Sequence, residues 1–137
     1  MTHYYEKKQT SELRKEKIHA NILGNSLEFF TGSGVFSKSG IDKGSMLLAN
    51  SAIIKENWKV LDLGCGYGVI GIAIAKAFPS SNVLLIDINK RAASLAKKNI
   101  ELNNVVNATA MQGDIFEIFK TKESADTIFN TILLNPP

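Results

Sequence analysis

The sequence predicts an α/β fold, a doubly wound parallel sheet of alternating strands and helices, on three observations. First, the apolar run Val60-Leu61-Asp62-Leu63 leads straight into three alternating glycines, Gly64, Gly66 and Gly68. Glycine lets a chain leaving a buried strand turn sharply and bring bare backbone N–H groups up to a ligand, which a Cβ would obstruct. Second, about 20 residues further on, a new apolar run, Val83-Leu84-Leu85-Ile86, ends in Asp87, where an acid can accept hydrogen bonds from ribose hydroxyls. Third, strand-like and helix-like segments alternate through the rest of the chain, and strands so arranged pair in parallel through right-handed crossovers, with helices on both faces.

The elements follow in order. Residues 1 to 20 are polar and mixed in charge, which predicts an arm or frayed helix docked loosely on the rest, and residues 1–25 are set apart as a polar arm from a main domain over 26–137. Ser26 to Thr31 has strand composition, and Gly32 to Ser37 with a turn near Gly40 completes an entry segment. From Gly44 to about Ile54 the spacing of Met46, Leu47, Ala49, Ile53 and Ile54 predicts a helix. Val60 to Leu63 is the first buried strand. Val69 to Phe78 is a helix apolar on nearly every face, stopped by Pro79. Val83 to Asp87 is a second strand, and Lys90 to Asn103 an amphipathic helix with Ala92, Leu95, Ala96 and Leu102 inward. Ala108 to Gln112, Ile115 to Phe119 and Thr127 to Leu134 read as strand, short helix and strand.

Composition sets bounds. With 137 residues, 45% of them hydrophobic, the chain has the size of one ordinary domain. Its apolar stretches fall short of the roughly 20 residues that cross a bilayer, and its start lacks a secretion signal, so the expected setting is cytoplasmic, away from any membrane. The one cysteine, Cys65, cannot form an intrachain disulfide; with no His near it in sequence, it reads as a small side chain filling the glycine loop rather than a reactive thiol. Sixteen Lys and Arg against thirteen Asp and Glu give a formal charge of +3, compatible with an RNA partner and equally with solvated helix faces.

In a doubly wound sheet, ligands bind outside the carboxyl ends of the strands. Asp62, Asp87, Asp114 and Asn135 all stand at or just beyond such an end. Gly66-Tyr67-Gly68-Val69-Ile70-Gly71 satisfies the dinucleotide spacing, so a nicotinamide or flavin cofactor is one reading. Asp62 argues against it: a carboxylate there repels a pyrophosphate and suits a cofactor carrying positive charge. Each acid also has a local alternative, since Asp87 could open the next turn or cap the helix near Lys90, and Asp114 could cap the short helix after it.

Taken together, Asp62-Leu63-Gly64-Cys65-Gly66-Tyr67-Gly68, then Asp87, then Gly113-Asp114, then Asn135-Pro136-Pro137, resemble the ordered motifs of the class I S-adenosylmethionine-dependent methyltransferases. Upstream, Gly34-Val35-Phe36-Ser37 and Asp42-Lys43-Gly44-Ser45 resemble the approach to the catalytic domain in the small-domain family that includes ribosomal RNA guanine-N2 methyltransferases. The resemblance covers residue 26 to the end and implies a Rossmann-like domain that uses S-adenosylmethionine and no metal. It implies that Gly64, Gly66 and Gly68, with Cys65 among them, pass beneath the methionine part and ribose, and that Asp62 sits near the amino end of the methionine. Asp87 would take both ribose hydroxyls. Asp114 would approach the adenine amine, with Ile88 and Ile115 covering the ring.

By the same resemblance Asn135, Pro136 and Pro137 are the catalytic group: the Asn oxygen and the first Pro carbonyl accept hydrogen bonds from a planar NH2 and strengthen as it turns pyramidal. Guanine N2 in ribosomal RNA is the first expected target, ahead of adenine N6 in nucleic acid and glutamine in a protein. The family's fold continues past this motif, so the chain is expected to be the N-terminal portion of such a domain, lacking its last strands. An open sheet edge then invites dimerisation, and a non-catalytic binding or interaction module is the alternative reading.

Overall fold

The structure, a computed structural model, describes residues 17–32, 41, 43–120 and 129–134. It begins with an antiparallel hairpin, β1 (Lys17–Ile22) and β2 (Asn25–Phe30), followed by helix α1 (Lys43–Ser51). Then come β3 (Lys59–Leu63), α2 (Val69–Ala77), β4 (Asn82–Asp87), α3 (Lys90–Leu102), β5 (Ala108–Gln112), the single turn α4 (Ile115–Ile118) and β6 (Thr131–Leu134). The last four strands form one parallel sheet in the order β5-β4-β3-β6. The chain steps outward from β3 to β4 to β5 and returns to the far side of β3, so the strand order reverses between β3 and β6. That reversal opens a crevice at the carboxyl ends of the strands.

Register explains the core. Asp62 pairs with Leu85 and Leu133, and Leu85 with Ala110, so Val60, Asp62, Val83, Leu85, Ala110 and Leu133 share one face of the sheet. All six are buried, and α2 and α3 lie against these strands. Helix α2 is buried continuously from Val69 to Ala75 because it is enclosed by the sheet, by β2 and by α1. Its all-round apolar sequence is what that position requires. Gly71 permits the close approach: a Cβ there would stand 2.6 Å from Leu85 Cγ and 2.9 Å from Asp62 Oδ2.

The predicted α/β fold with its parallel sheet is the one observed, and the element boundaries differ in instructive places. Lys17 to Ile22, expected within the polar arm, form strand β1 and Asn25 opens β2, while residues 1–16 of that arm lie outside the described residues. Ile18 and Ala20 are half-buried and Ile22 buried, alternating with exposed Lys17, His19 and Asn21, so the segment has the period of a strand and gains its stability by pairing with β2. Helix α1 stops at Ser51, short of the expected Ile54, which is buried beyond the helix. Of the strand expected from Thr127, residues 127 and 128 lie outside the described residues and β6 spans Thr131–Leu134; Asn130 continues the pairing with β3 by other means, its N–H donating to Lys59 O at 2.8 Å and its Oδ1 accepting Lys59 N–H at 2.7 Å. The expected entry loop at 33–40 lies outside the described residues. No described helix is long and apolar enough to cross a membrane.

Candidate functional site

The glycine loop hangs from the end of β4. Gly64 N–H and Cys65 N–H both donate to Ile86 O, at 2.8 and 2.9 Å, and Gly68 N–H closes a turn on Cys65 O at 3.0 Å. Gly64, Gly66 and Gly68 all have positive φ, 72°, 58° and 104°. At Gly64 a Cβ would meet nothing within 4 Å among the described residues, so glycine serves the left-handed backbone there.

Asp87 is the rim acid. Its Oδ2 accepts Gly66 N–H at 2.8 Å and its Oδ1 accepts Asn89 N–H at 2.8 Å. The carboxylate thereby fixes the middle of the glycine loop, and each oxygen keeps a lone pair for a hydroxyl. The two local alternatives divide cleanly. Asp87 opens the turn after β4, as its bond to Asn89 shows, while the cap of α3 is Asn89, whose side chain accepts Ala92 N–H at 3.0 Å.

Asp62 occupies a different environment. It is 2% exposed, and its Oδ2 accepts Gly71 N–H at 2.9 Å, satisfying one of the donors that the first turn of α2 leaves unpaired. Burial, partly offset by this bond and reinforced by the charge of Asp87, pushes its carboxyl up to about 7. Burial, with Asp62 and Asp87 adding to it, also pushes the Cys65 thiol up, which removes the thiolate a nucleophile or redox centre would need. Asp62 and Cys65 therefore form a buried floor beneath the loop.

Asp114 caps α4, its Oδ1 accepting Phe116 N–H at 2.9 Å. It is brought to the same rim as Asp87 by the pairing of Asp87 with Gln112 and by Gly113 N–H donating to Asp87 O at 2.9 Å. Ile88, next to Asp87, is 70% exposed, and Ile115 is half-buried. The described residues thus bring Asp87, Ile88, Asp114, Ile115 and the glycine loop to one rim, with Asp62 below it. Asn135, Pro136 and Pro137 lie outside the described residues; they follow Leu134, which pairs with Leu63, the residue before Gly64. No group of His, Cys, Asp and Glu among the described residues could hold a metal ion. A residue that reading by segment passes over is Asn99, which is fully buried and donates from Nδ2 to Tyr67 O, inside the glycine loop, at 2.8 Å. The available signal was an asparagine on the apolar stripe of α3.

The family model for the methyltransferase small domain matches residues 26–137. The protein YbxB of Bacillus subtilis, described as uncharacterized, is 38% identical over 136 residues, covering 98% of this chain and 66% of that one. Ribosomal RNA small subunit methyltransferase C of Psychromonas ingrahamii is 36% identical over 117 residues, covering 85% and 32%. The chain therefore spans between about a third and two thirds of the length of these relatives. Among solved structures, the fold resembles the Pyrococcus abyssi tRNA (uracil-54, C5)-methyltransferase in complex with S-adenosyl-L-homocysteine, with TM-score 0.64 and 23% identity over 89% of this chain and 28% of that one. It also resembles M. jannaschii TYW2 in complex with AdoMet, with TM-score 0.56 and 21% identity over 75% and 46%.

Proposed function

We propose, from the premise that this chain belongs to the methyltransferase small domain family, that its carboxyl rim binds S-adenosylmethionine for methyl transfer to a base of ribosomal RNA. The observation that carries the reading is the Asp87 carboxylate held by Gly66 N–H and Asn89 N–H beside a glycine loop that is left-handed at Gly64. The residues fit the cofactor by their chemistry. Asp87 offers lone pairs to two ribose hydroxyls, and a bidentate acceptor of that kind is best supplied by an ionised carboxylate. Exposed Ile88 and half-buried Ile115 offer apolar cover to a flat ring. The buried Asp62, once ionised, would place negative charge under a ligand that carries positive charge.

When bound, S-adenosylmethionine supplies an electrophilic methyl, which leaves the protein to orient the acceptor and accommodate its proton. Asn135 and Pro136 are assigned to the acceptor: the Asn side-chain oxygen and the Pro carbonyl accept from an exocyclic NH2, hold the nitrogen and favour its pyramidal form. Pro136 and Pro137 restrict the backbone that presents this carbonyl. The target class is taken from the relative named for ribosomal RNA small subunit methylation, and guanine N2 from the Asn-Pro-Pro motif with the upstream segment. Among the described residues β6 lies at the edge of the sheet, which supports a second reading in which this edge pairs with another copy.

The test is transfer of labelled methyl to unmodified ribosomal RNA, followed by digestion to nucleosides, with sedimentation of the chain run in parallel. Label in N2-methylguanosine is expected and is lost in Asn135→Ala. Label in N6-methyladenosine corrects the acceptor, and a dimer without label favours the interaction reading.

A further inference from the structure

Strand β2 lies along helix α3 in a regular ladder. Phe30 N–H donates to Asn99 Oδ1 at 2.7 Å, and Asn99 Nδ2 donates back to Phe30 O at 3.0 Å. Two residues earlier in the strand and four later in the helix, Glu28 N–H donates to Asn103 Oδ1 at 3.0 Å and Asn103 Nδ2 donates to Glu28 O at 2.8 Å. Two residues past the end of the strand and four earlier in the helix, Gly32 lies so close to α3 that a Cβ would stand 2.8 Å from Leu95 Cδ1. The steps match because two strand residues rise about 6.6 Å and four helix residues about 6 Å. In the antiparallel pairing with β1, alternate residues of β2 turn their backbone groups outward, and Glu28 and Phe30 are the ones met here. Among the described residues, the two amides stand where a second neighbouring strand of β2 would.

The rungs differ in where the remaining amide hydrogen goes. The remaining N–H of the Asn99 amide donates to Tyr67 O, between Gly66 and Gly68, at 2.8 Å, whereas that of Asn103 donates to Asn99 O within its own helix at 2.7 Å. Asn99 therefore uses both of its donor hydrogens, one on the hairpin and one on the glycine loop. Its side chain is fully buried, and so is its bond to Tyr67 O.

We propose that Asn99 is a positioning residue for the cofactor loop: one amide fixes both the end of β2 and the Tyr67 carbonyl, coupling the shape of the glycine loop to the docking of the hairpin. This rests on reading that loop as the S-adenosylmethionine site. The structural alternative is a buried amide that only staples the hairpin, and Asn103 supplies the control, because it makes the same pair of bonds to β2 and none to the loop.

The test compares Asn99→Ala with Asn103→Ala in the full chain. In the absence of cofactor, amide hydrogen exchange at Gly66 and Gly68 is expected to accelerate about tenfold in Asn99→Ala and less than about twofold in Asn103→Ala, at comparable unfolding midpoints. S-adenosylmethionine affinity is expected to fall about tenfold in the first and to stay within about twofold in the second. Equal loop exchange in the two variants overturns the inference. Should Asn99→Ala fail to fold, the unaltered chain decides: saturation with S-adenosylmethionine slows exchange at Phe30 N–H by at least about threefold more than at Glu28 N–H, and equal slowing overturns the coupling. A folded, unaltered chain that does not bind S-adenosylmethionine defeats the proposed function, while the ligand-free exchange comparison still judges the role of Asn99.

Discussion

Asp62, one residue before the end of β3, and Asp87, at the end of β4, stand on the same face of one sheet, yet one is a buried floor and the other a rim. Register accounts for the difference. Asp62 is level with Leu85, a core residue, and Asp87 stands two residues further along, about 6.6 Å nearer the ligand side. Asp62 meets the first turn of α2 through Gly71 N–H, while Asp87 meets the loop and the turn through Gly66 and Asn89. The lesson is that an acid's role in this architecture is set by its depth below the carboxyl edge as much as by its presence in a motif.

The largest effect that sharpens this comparison is expected at Asp62. In the unfolded chain its carboxyl ionises near its ordinary value, whereas in the folded chain it keeps its proton to about 7. Between those values the folded state binds more protons, so this group's contribution falls as pH rises from about 4 to about 7 and is flat above. Asp62→Asn keeps an acceptor oxygen for Gly71 N–H and carries no charge. Its stability relative to the unaltered chain should therefore grow by about 3 kcal/mol between pH 4.5 and pH 8, read by urea unfolding. A difference independent of pH would break the comparison.

Next in size is Gly71→Ala, which drives a methyl into Leu85 and the Asp62 carboxylate. An overpacked site of this kind costs about 1–3 kcal/mol, read as a lowered urea midpoint. Gly64→Ala should cost about 1 kcal/mol, from its positive φ, because its Cβ meets none of the described residues within 4 Å. Equal losses at the two glycines would contradict a buried floor beneath an open rim. The smallest expected effect is on binding: a cationic ligand near Asp62 favours its ionised form, so S-adenosylmethionine affinity should rise as pH increases from about 6 to about 8, by a few-fold in calorimetric titration. Asp62→Asn should abolish that slope.

What was legible in the sequence is local. Apolar runs, the glycines after Leu63 and the acids after each strand mark the sheet and its rim, because strand period and turn chemistry are written in adjacent residues. What was not legible depends on partners distant in the chain. β1 looks like a polar arm until Ile18, Ala20 and Ile22 are seen to face inward beside β2. Asn99 and Asn103 pair with residues more than 60 positions away, and nothing in α3 names those partners. Asn107 likewise gathers Ala75 O, Phe78 O and Ser81 O around the end of α2 with a single amide. The burial of Asp62 follows from its register with Leu85, which no single strand records.

The measurement that tests the central claim most directly is calorimetric titration of the chain and of Asp87→Ala with S-adenosylmethionine, with NAD as the competing ligand. The rim reading predicts saturable S-adenosylmethionine binding at one site, weakened at least about 100-fold by Asp87→Ala, and no binding of NAD. Unchanged affinity in Asp87→Ala, or binding of NAD in place of S-adenosylmethionine, would contradict it.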